Sequence, residues 1–212
     1  MIDNEPLTHQ ISSTSHNAVR RWVARCLGSV RHEDRVAEIA GRLFQLTSAH
    51  HGLPASDLRL LRVAAVVHDV GRSIDEETHP RQGARLLLKE PNLPLDENER
   101  RWLAYLTRYH RGAVPDVRQD GILRRSDPHA RLRLLLGLLR AADGLDSRSV
   151  ESPRLSFAMT GKKLRVICRL DDQSPKAARA FTRRKKFRLL EELLDLRVDI
   201  RITTLAELTA AA

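Results

Sequence analysis

Apolar residues recur at three- and four-residue intervals through most of the first 147 positions, and this spacing predicts amphipathic helices. The first helical stretch runs from about residue 16 to about residue 51, where Gly52 and Pro54 end it. Later helices are predicted over these ranges: 56–70, 80–89, 96–110 and 128–145. Asp96 followed by Glu99 has the form of a capping box, so the helix at 96 has a defined start.

The pattern changes after residue 147. Alternating or β-rich runs at 155–158 and 164–170 predict two strands, joined at Gly161, and the run 198–202 predicts a third. An amphipathic helix is predicted over 175–195. We therefore predict a mainly α protein: a helical bundle over residues 14–147, with a small α+β appendage of strand, helix and strand over residues 148–212 packed on it.

Composition excludes several classes of protein. With 212 residues, 42% hydrophobic and 30% charged, the chain can bury a core and is not a disordered polymer. It has no apolar run long enough for a membrane span, and the first residues lack the basic and apolar stretches of a signal peptide. Two cysteines, Cys26 and Cys168, do not suggest a disulfide framework. A cytoplasmic protein without a membrane partner is therefore expected.

The formal net charge of +10 changes the expected partners. A positive field attracts polyphosphate, nucleotides or nucleic acid, although an Arg-rich composition can also reflect genomic base composition. Only 4% of residues are aromatic, so the stacking platforms of single-strand binders are scarce. Nucleic acid is thus a possible partner, but it is not the favoured one. The densest basic run, residues 183–188, is interpreted as the solvated face of a helix.

Six ionisable residues lie on helix faces that should point inwards. The doublet His68-Asp69 follows the most apolar helix, and the others continue, end or begin an apolar face. The set is His32, His68, Asp69, His79, His110 and Asp143. A buried carboxylate needs a partner, and imidazole together with carboxylate suits first-row divalent metals. The remaining histidines are expected at the surface: His9, His16, His50, His51 and His129.

Five segments, in this order, resemble the HD-domain superfamily of metal-dependent phosphohydrolases, which is named for a His-Asp doublet. They span residues 32–36, 64–72, 79–84, 108–111 and 139–146. The last two segments and the strand–helix–strand tail, to about residue 203, look like the C-terminal HD domain of exopolyphosphatase/guanosine-pentaphosphate phosphatase proteins. This chain would then be a free-standing version of that accessory domain. The sequence motif His79-Pro-x-x-Gly-Ala is closer to that of the wider superfamily, because the narrower group tends to place its histidine at the position of Gln82.

The resemblance implies an HD-type helical bundle around one or two divalent metal ions, with Mn, Fe, Mg, Ni and Zn all open. One metal would be held by His32, His68, Asp69 and Asp143. Asp69 would bridge to a second metal, held also by His79 and His110. Asp69 and Arg72 are the implied catalytic residues, and the implied phosphate contacts are Arg72, Arg108 and Arg111.

The expected function is hydrolysis of a phosphate ester or phosphoanhydride by a metal-activated water. The Arg excess favours a highly anionic substrate such as polyphosphate, an alarmone or a nucleotide. Loops 72–78 and 111–127 are expected to form the walls that select it. One alternative is an accessory-type domain that binds polyphosphate or an alarmone without cleaving it. Another is a nucleic-acid-binding protein, supported by charge alone, and an oligomer is possible.

Overall fold

A computed structural model of the chain describes residues 12–116, 119–171 and 175–204. The predicted fold class is confirmed: the chain is mainly helical, with a small three-stranded sheet near its C-terminal end. The helices of the bundle come first along the chain. They are α1 (Ser13–Leu27), α2 (Arg31–Leu46), α3 (Ser48–His51), α4 (Asp57–Val67), α5 (His79–Lys89), α6 (Glu97–Tyr109) and α7 (His129–Asp143). A 3-10 helix, Val70–Ser73, follows α4.

Helix α4 is the centre of the bundle. It packs against α1, α2, α6 and α7, and its side chains from Val63 to Val67 are essentially inaccessible to solvent. Small residues such as Ala64 and Ala65 let the neighbouring helices approach closely, and burial on every side explains the continuous apolar run. A helix so enclosed ends in the protein interior, which places the residues after Val67 there as well.

The sheet has the order β1–β2–β3, with β1 (Arg154–Thr160), β2 (Lys163–Leu170) and β3 (Arg197–Thr204). Strands β1 and β2 form an antiparallel hairpin whose turn contains Gly161 at φ +53°. Strands β2 and β3 are parallel. A parallel pair needs a crossover connection, and here α8 (Pro175–Phe181) and α9 (Arg188–Leu194) supply it.

The crossover connects the sheet to the bundle. Helix α9 packs on α7, and Gly137 of α7 makes this approach possible. A Cβ added at Gly137 would lie 3.3 Å from the backbone of Leu190. The buried apolar residues of the bundle and the sheet therefore form one core, although the division into domains at residue 147 stays a prediction.

Two predicted helices are interrupted. The stretch 16–51 breaks because Gly28 adopts φ +74° and its N–H caps α1 on the carbonyl of Ala24. The stretch 175–195 breaks after Phe181, and a 3-10 turn, Arg184–Lys186, separates α8 from α9. The expectation of one solvated helix face over 183–188 is therefore wrong, since Lys186 is buried there.

The expectation for the other histidines holds only in part. His51 is buried, where its Nε2 donates to the carbonyl of Phe44 and its Nδ1 accepts from the N–H of Leu53, both at 2.8 Å. It thus closes the turn after α3 as a structural residue. His9 lies outside the described residues.

Among the residues that the structure describes, no helix combines the length and the apolar character needed to cross a bilayer.

Candidate metal centre

The six predicted residues come from five parts of the bundle and meet at one end of it. Each lies at or near a helix end. His32 is in the first turn of α2, His68 and Asp69 follow α4, His79 begins α5, His110 follows α6, and Asp143 ends α7. All six are at most 9% exposed. The structure therefore brings the predicted set into one buried cluster.

Asp69 is at the centre of the cluster. Its Oδ1 lies 3.1 Å from Nε2 of His79, 3.5 Å from that of His110 and 3.6 Å from that of His68. Its Oδ2 lies 3.9 Å from Nε2 of His32. A single carboxylate thus faces all four imidazoles.

Asp143 closes the cluster on the other side. Its Oδ1 lies 3.6 Å from Nε2 of both His32 and His68. Three overlapping groups have their ligand atoms within 4.8 Å of one another, a spacing that could hold a metal ion. These groups are His32 with His68 and Asp69; His68 with His110 and Asp143; and Asp69 with His79 and His110.

A hydrogen bond fixes the orientation of every imidazole. In three of them Nδ1 donates to the carbonyl of the residue three positions earlier, at 2.6–2.7 Å. In the fourth, Nδ1 of His32 lies 2.8 Å from Oδ2 of Asp146. Since Nδ1 of a neutral imidazole carries the hydrogen in each such bond, Nε2 presents a lone pair to the centre. Metal-binding histidines are commonly held in this way.

The Nε2 atoms lack the partners that a metal-free site would need. His79 and His110 bring these atoms to 3.2 Å from each other, yet both rings use their Nδ1 hydrogen elsewhere. Two neutral rings in this tautomer would therefore oppose their lone pairs. Nε2 of His68 is buried and has no hydrogen-bond partner among the described residues. A cation between these nitrogens would satisfy them, so the residues fit a metal ion.

Burial and the two carboxylates set the protonation of the cluster. Burial lowers the pKa of His110 to about 4, which keeps its imidazole neutral at pH 7. Burial also acts to lower the pKa of His68, but Asp69 and Asp143 outweigh it and raise that pKa. Burial acts to raise the pKa of Asp69, but its histidine partners, His68 first, hold it well below the usual value. The pKa of Asp143 is likewise well below its usual value, because Lys186 and His32 outweigh burial. Both acids are thus ionised and can act as ligands.

Cations cover the outer oxygens of both carboxylates. Nε atoms of Arg72 and Arg148 donate to Oδ2 of Asp69 at 2.9 and 3.0 Å. Lys186 forms an ion pair with Oδ2 of Asp143. Each acid therefore keeps Oδ1 for the imidazoles, while Oδ2 is held from outside.

The cluster forms the floor of a pocket of about 400 Å³. Loop 72–78 contributes Arg72 and Glu76, and loop 111–127 contributes Arg111. The remaining wall comes from Gly144, from residues 146–149 and from Ala180, Arg183 and Lys186. The two loops named from the sequence thus supply only part of the lining.

Arg108 does not reach this pocket. Its guanidinium lies over the Tyr109 ring, 5.2 Å from the ring centre, and it is not among the residues that line the cavity. The other two arginines proposed as phosphate contacts, Arg72 and Arg111, do line it. The structure thus places Arg108 against a neighbouring ring, and its role as a phosphate contact stays a prediction.

Sequence reasoning missed four residues around the cluster. Asp146 holds His32, and Arg35 and Ser152 in turn hold Asp146. Arg148 joins Asp69 to the buried Glu33. The missed residues are Glu33, Asp146, Arg148 and Lys186. One signal could have identified Asp146: it is an acidic residue three positions after Asp143, within the segment 139–146 that carries the family resemblance.

The family models give one match. The model described as Ppx/GppA phosphatase, domain III, matches residues 25–166, which is 142 of the 212 residues. A search of the curated proteins found no match. The matched range contains all six residues of the cluster and ends within β2. The chain belongs to the Ppx/GppA phosphatase domain III family.

Proposed function

We propose that this chain is a metal-dependent phosphohydrolase of the HD type that acts on a highly anionic substrate. The observation that carries the proposal is the set of inward-facing Nε2 atoms around Asp69, with two of them 3.2 Å apart and one without any partner among the described residues. The family is named for a phosphatase, which supports a phosphate-containing substrate. Polyphosphate, alarmones and nucleotides are the candidates.

The ligand assignment follows the grouping of the side chains. His32, His68, Asp69 and Asp143 would hold one divalent ion, because Nε2 of both imidazoles lies 3.6–3.9 Å from an oxygen of each carboxylate. Asp69, His79 and His110 would hold a second, so that Asp69 would be shared by both. Nitrogen and carboxylate donors suit Mn, Fe, Ni or Zn, and Mg stays open. When bound, such ions act as Lewis acids on a phosphoryl group and lower the pKa of water.

The chain's own cations would position the substrate. Arg72 and Arg148 hold Asp69 in place, which keeps its Oδ1 turned to the imidazoles. Arg111, Arg183 and Lys186 line the same pocket, where guanidinium and ammonium groups bind phosphate oxygens. The cluster is buried on the bundle side, and this pocket gives access to it.

Elemental analysis of the protein purified without chelator tests the metal. We expect at least one equivalent of a divalent metal in the wild type and loss of that metal in H68A and D69A. H50A is the matched control, because His50 lies on α3 and does not line the pocket. Phosphate release should follow the metal across the four proteins. Retention of full metal content by both cluster variants would contradict the ligand assignment.

A non-catalytic binding domain is the second candidate. The matched model describes one domain of a phosphatase, and the cations on Oδ2 of both carboxylates compete with a metal for those oxygens. This candidate predicts polyphosphate binding that survives D69A, together with no phosphate release from any substrate tested. Metal-dependent turnover that D69A abolishes would exclude it.

A further inference from the structure

A second cavity adjoins the pocket of the metal centre. It has a volume of about 420 Å³ and shares Arg111, Arg183 and Lys186 with the first. His110 also lines it, so the second cavity begins at the cluster itself. Five of the residues around it are cationic, and none of the described residues that line it is acidic. The five are Arg111, Arg140, Arg183, Lys185 and Lys186.

Arg183 and Lys185 in this second cavity differ from the neighbouring Arg184 and Arg188 in how they are paired. Arg184 pairs with Glu191 and Arg188 pairs with Glu192, and neither lines a cavity described above. Within the described ranges, no carboxylate forms an ion pair with Arg183, Lys185 or Arg111. The unneutralised charges of the basic run are therefore the ones that face the cavity.

The local fold holds these residues at the cavity. Arg140 donates to the carbonyls of Tyr109 and Gly112, at 2.8 and 2.5 Å, and so fixes the loop that carries Arg111. On the opposite wall, the 3-10 turn after Arg183 lies against Gly144. A Cβ added at Gly144 would be 2.8 Å from Cβ of Lys186, so the turn packs here because position 144 has no side chain.

The acidic residues that line the first pocket already have partners. Asp69 and Asp143 face the imidazoles, while Glu76 pairs with Arg72. The cations without acidic partners therefore lie on the wall that the two cavities share, at Arg111 and Arg183, and in the second cavity, at Lys185. Two adjacent cavities that share a cationic wall suit a ligand with several phosphoryl groups in a row, because each group brings further negative charge.

We propose that the second cavity is a subsite for the non-reacting phosphoryl groups of a linear phosphate chain, with Arg183 and Lys185 as its specificity-determining residues. The inference rests on the proposed function for the orientation of the chain, with its terminal group at the metal cluster. The shared chemistry is a run of consecutive phosphoryl groups, found in inorganic polyphosphate and in nucleoside polyphosphates alike. The family match ends at residue 166, so Arg183 and Lys185 lie outside the matched range.

Calorimetric titration of the full chain with tripolyphosphate, ATP and orthophosphate tests the subsite. R183A/K185A should weaken tripolyphosphate binding about tenfold or more, because it removes two cationic side chains that would donate charge-assisted hydrogen bonds to phosphoryl oxygens. K185A alone should weaken tripolyphosphate binding more than orthophosphate binding, which should change by about twofold or less, because Lys185 lines only the second cavity whereas Arg183 lines both. The matched control is K176A/R188A, which removes one lysine and one arginine at exposed positions of the same connection. ATP distinguishes the two sources: affinity equal to that of tripolyphosphate indicates that the chain alone is recognised, and tighter binding indicates a nucleoside.

Several outcomes would overturn the subsite. These are the absence of tripolyphosphate binding by the wild type, an equal loss of orthophosphate and tripolyphosphate affinity in K185A, and a loss of tripolyphosphate affinity in K176A/R188A that equals the loss in R183A/K185A. The failure of the proposed function looks different. If no metal is found and no phosphate is released, but tripolyphosphate binding still depends on Arg183 and Lys185, the enzyme assignment fails and the subsite stands. If hydrolysis is observed and R183A/K185A leaves the KM for tripolyphosphate unchanged, the enzyme assignment stands and the subsite fails.

Discussion

Replacing Asp146 by asparagine removes the charge that holds His32 while keeping the shape of the side chain. The carboxylate is almost fully buried and its Oδ2 lies 2.8 Å from Nδ1 of His32. Burial acts to raise the pKa of Asp146, but the bonds from His32 and Ser152 outweigh it and lower that pKa. The group is therefore ionised at neutral pH, and its stabilising contribution is lost as the pH falls through the lowered pKa.

The magnitude follows from the role of the bond. Loss of such an outer partner typically weakens metal binding about 10- to 100-fold, or about 1.4–2.7 kcal/mol. Because a ligand stabilises a protein in proportion to the logarithm of its concentration over Kd, saturating metal should stabilise D146N less by that same amount. For a chain of this length, about 2–4 °C per kcal/mol gives a metal-induced rise in Tm that is smaller by about 3–11 °C.

The assay compares the Tm of each protein with and without metal, so that any effect of D146N on the metal-free fold cancels. D34N is the matched control, because Asp34 lies in the same helix as His32 but pairs with Arg20 at the surface. We expect the control to keep the full metal-induced rise. Equal rises in D146N and D34N would refute the reasoning that Asp146 supports a metal ligand.

Three further predictions concern the fold. G71A should destabilise the protein by about 1–3 kcal/mol or more in urea unfolding, because the added Cβ would lie 2.1 Å from a backbone carbonyl oxygen of α5. G41A is the control and should be near neutral, because its Cβ would meet only a flexible side chain. R131M should cost about 3–5 kcal/mol because it leaves the buried carboxylate of Asp57 unpaired, and D57L/R131M should recover that loss. Burial raises the pKa of Asp57, although Arg131 acts to lower it. Ionisation of this carboxyl therefore reduces the free energy of unfolding as the pH rises through that pKa, and D57L/R131M should not show this reduction. Burial raises the pKa of the Cys168 thiol to about 12, so a thiol reagent at pH 8 should label it only after unfolding; labelling in the folded protein would contradict this.

Local signals predicted the helices of the bundle well. The capping box forms as the sequence indicates, with Asp96 accepting from the N–H of Glu99 and the Glu99 carboxylate accepting from the N–H of Asp96. The break after α1 also had a local signal, because Gly28 adopts the left-handed conformation that favours glycine at a helix end. The break after α8 had none: no glycine or proline lies between 176 and 195.

The convergence of the six residues was predictable because periodicity shows which face of a helix is buried. His68 and His110 follow apolar residues at helical spacing, and both are fully buried in the cluster. Partners at long sequence separation were not predictable in the same way. Lys186 pairs with Asp143 across 43 positions, and Arg148 meets Asp69 across 79, so neither contact leaves a periodic trace.

The basic run at 183–188 shows why charge density along a sequence does not define a binding surface. Its members are near neighbours, yet they meet different environments: Lys186 is buried on a carboxylate of the cluster, Arg184 and Arg188 pair with glutamates of α9, and Arg183 and Lys185 face a cavity. An exposed ion pair offers little net field to a ligand, because its two charges largely cancel at a distance. The attraction for an anion therefore comes from the members without acidic partners. Which members these are depends on the break between α8 and α9, so the tertiary fold, rather than the net charge of +10, decides which cations face the cavity.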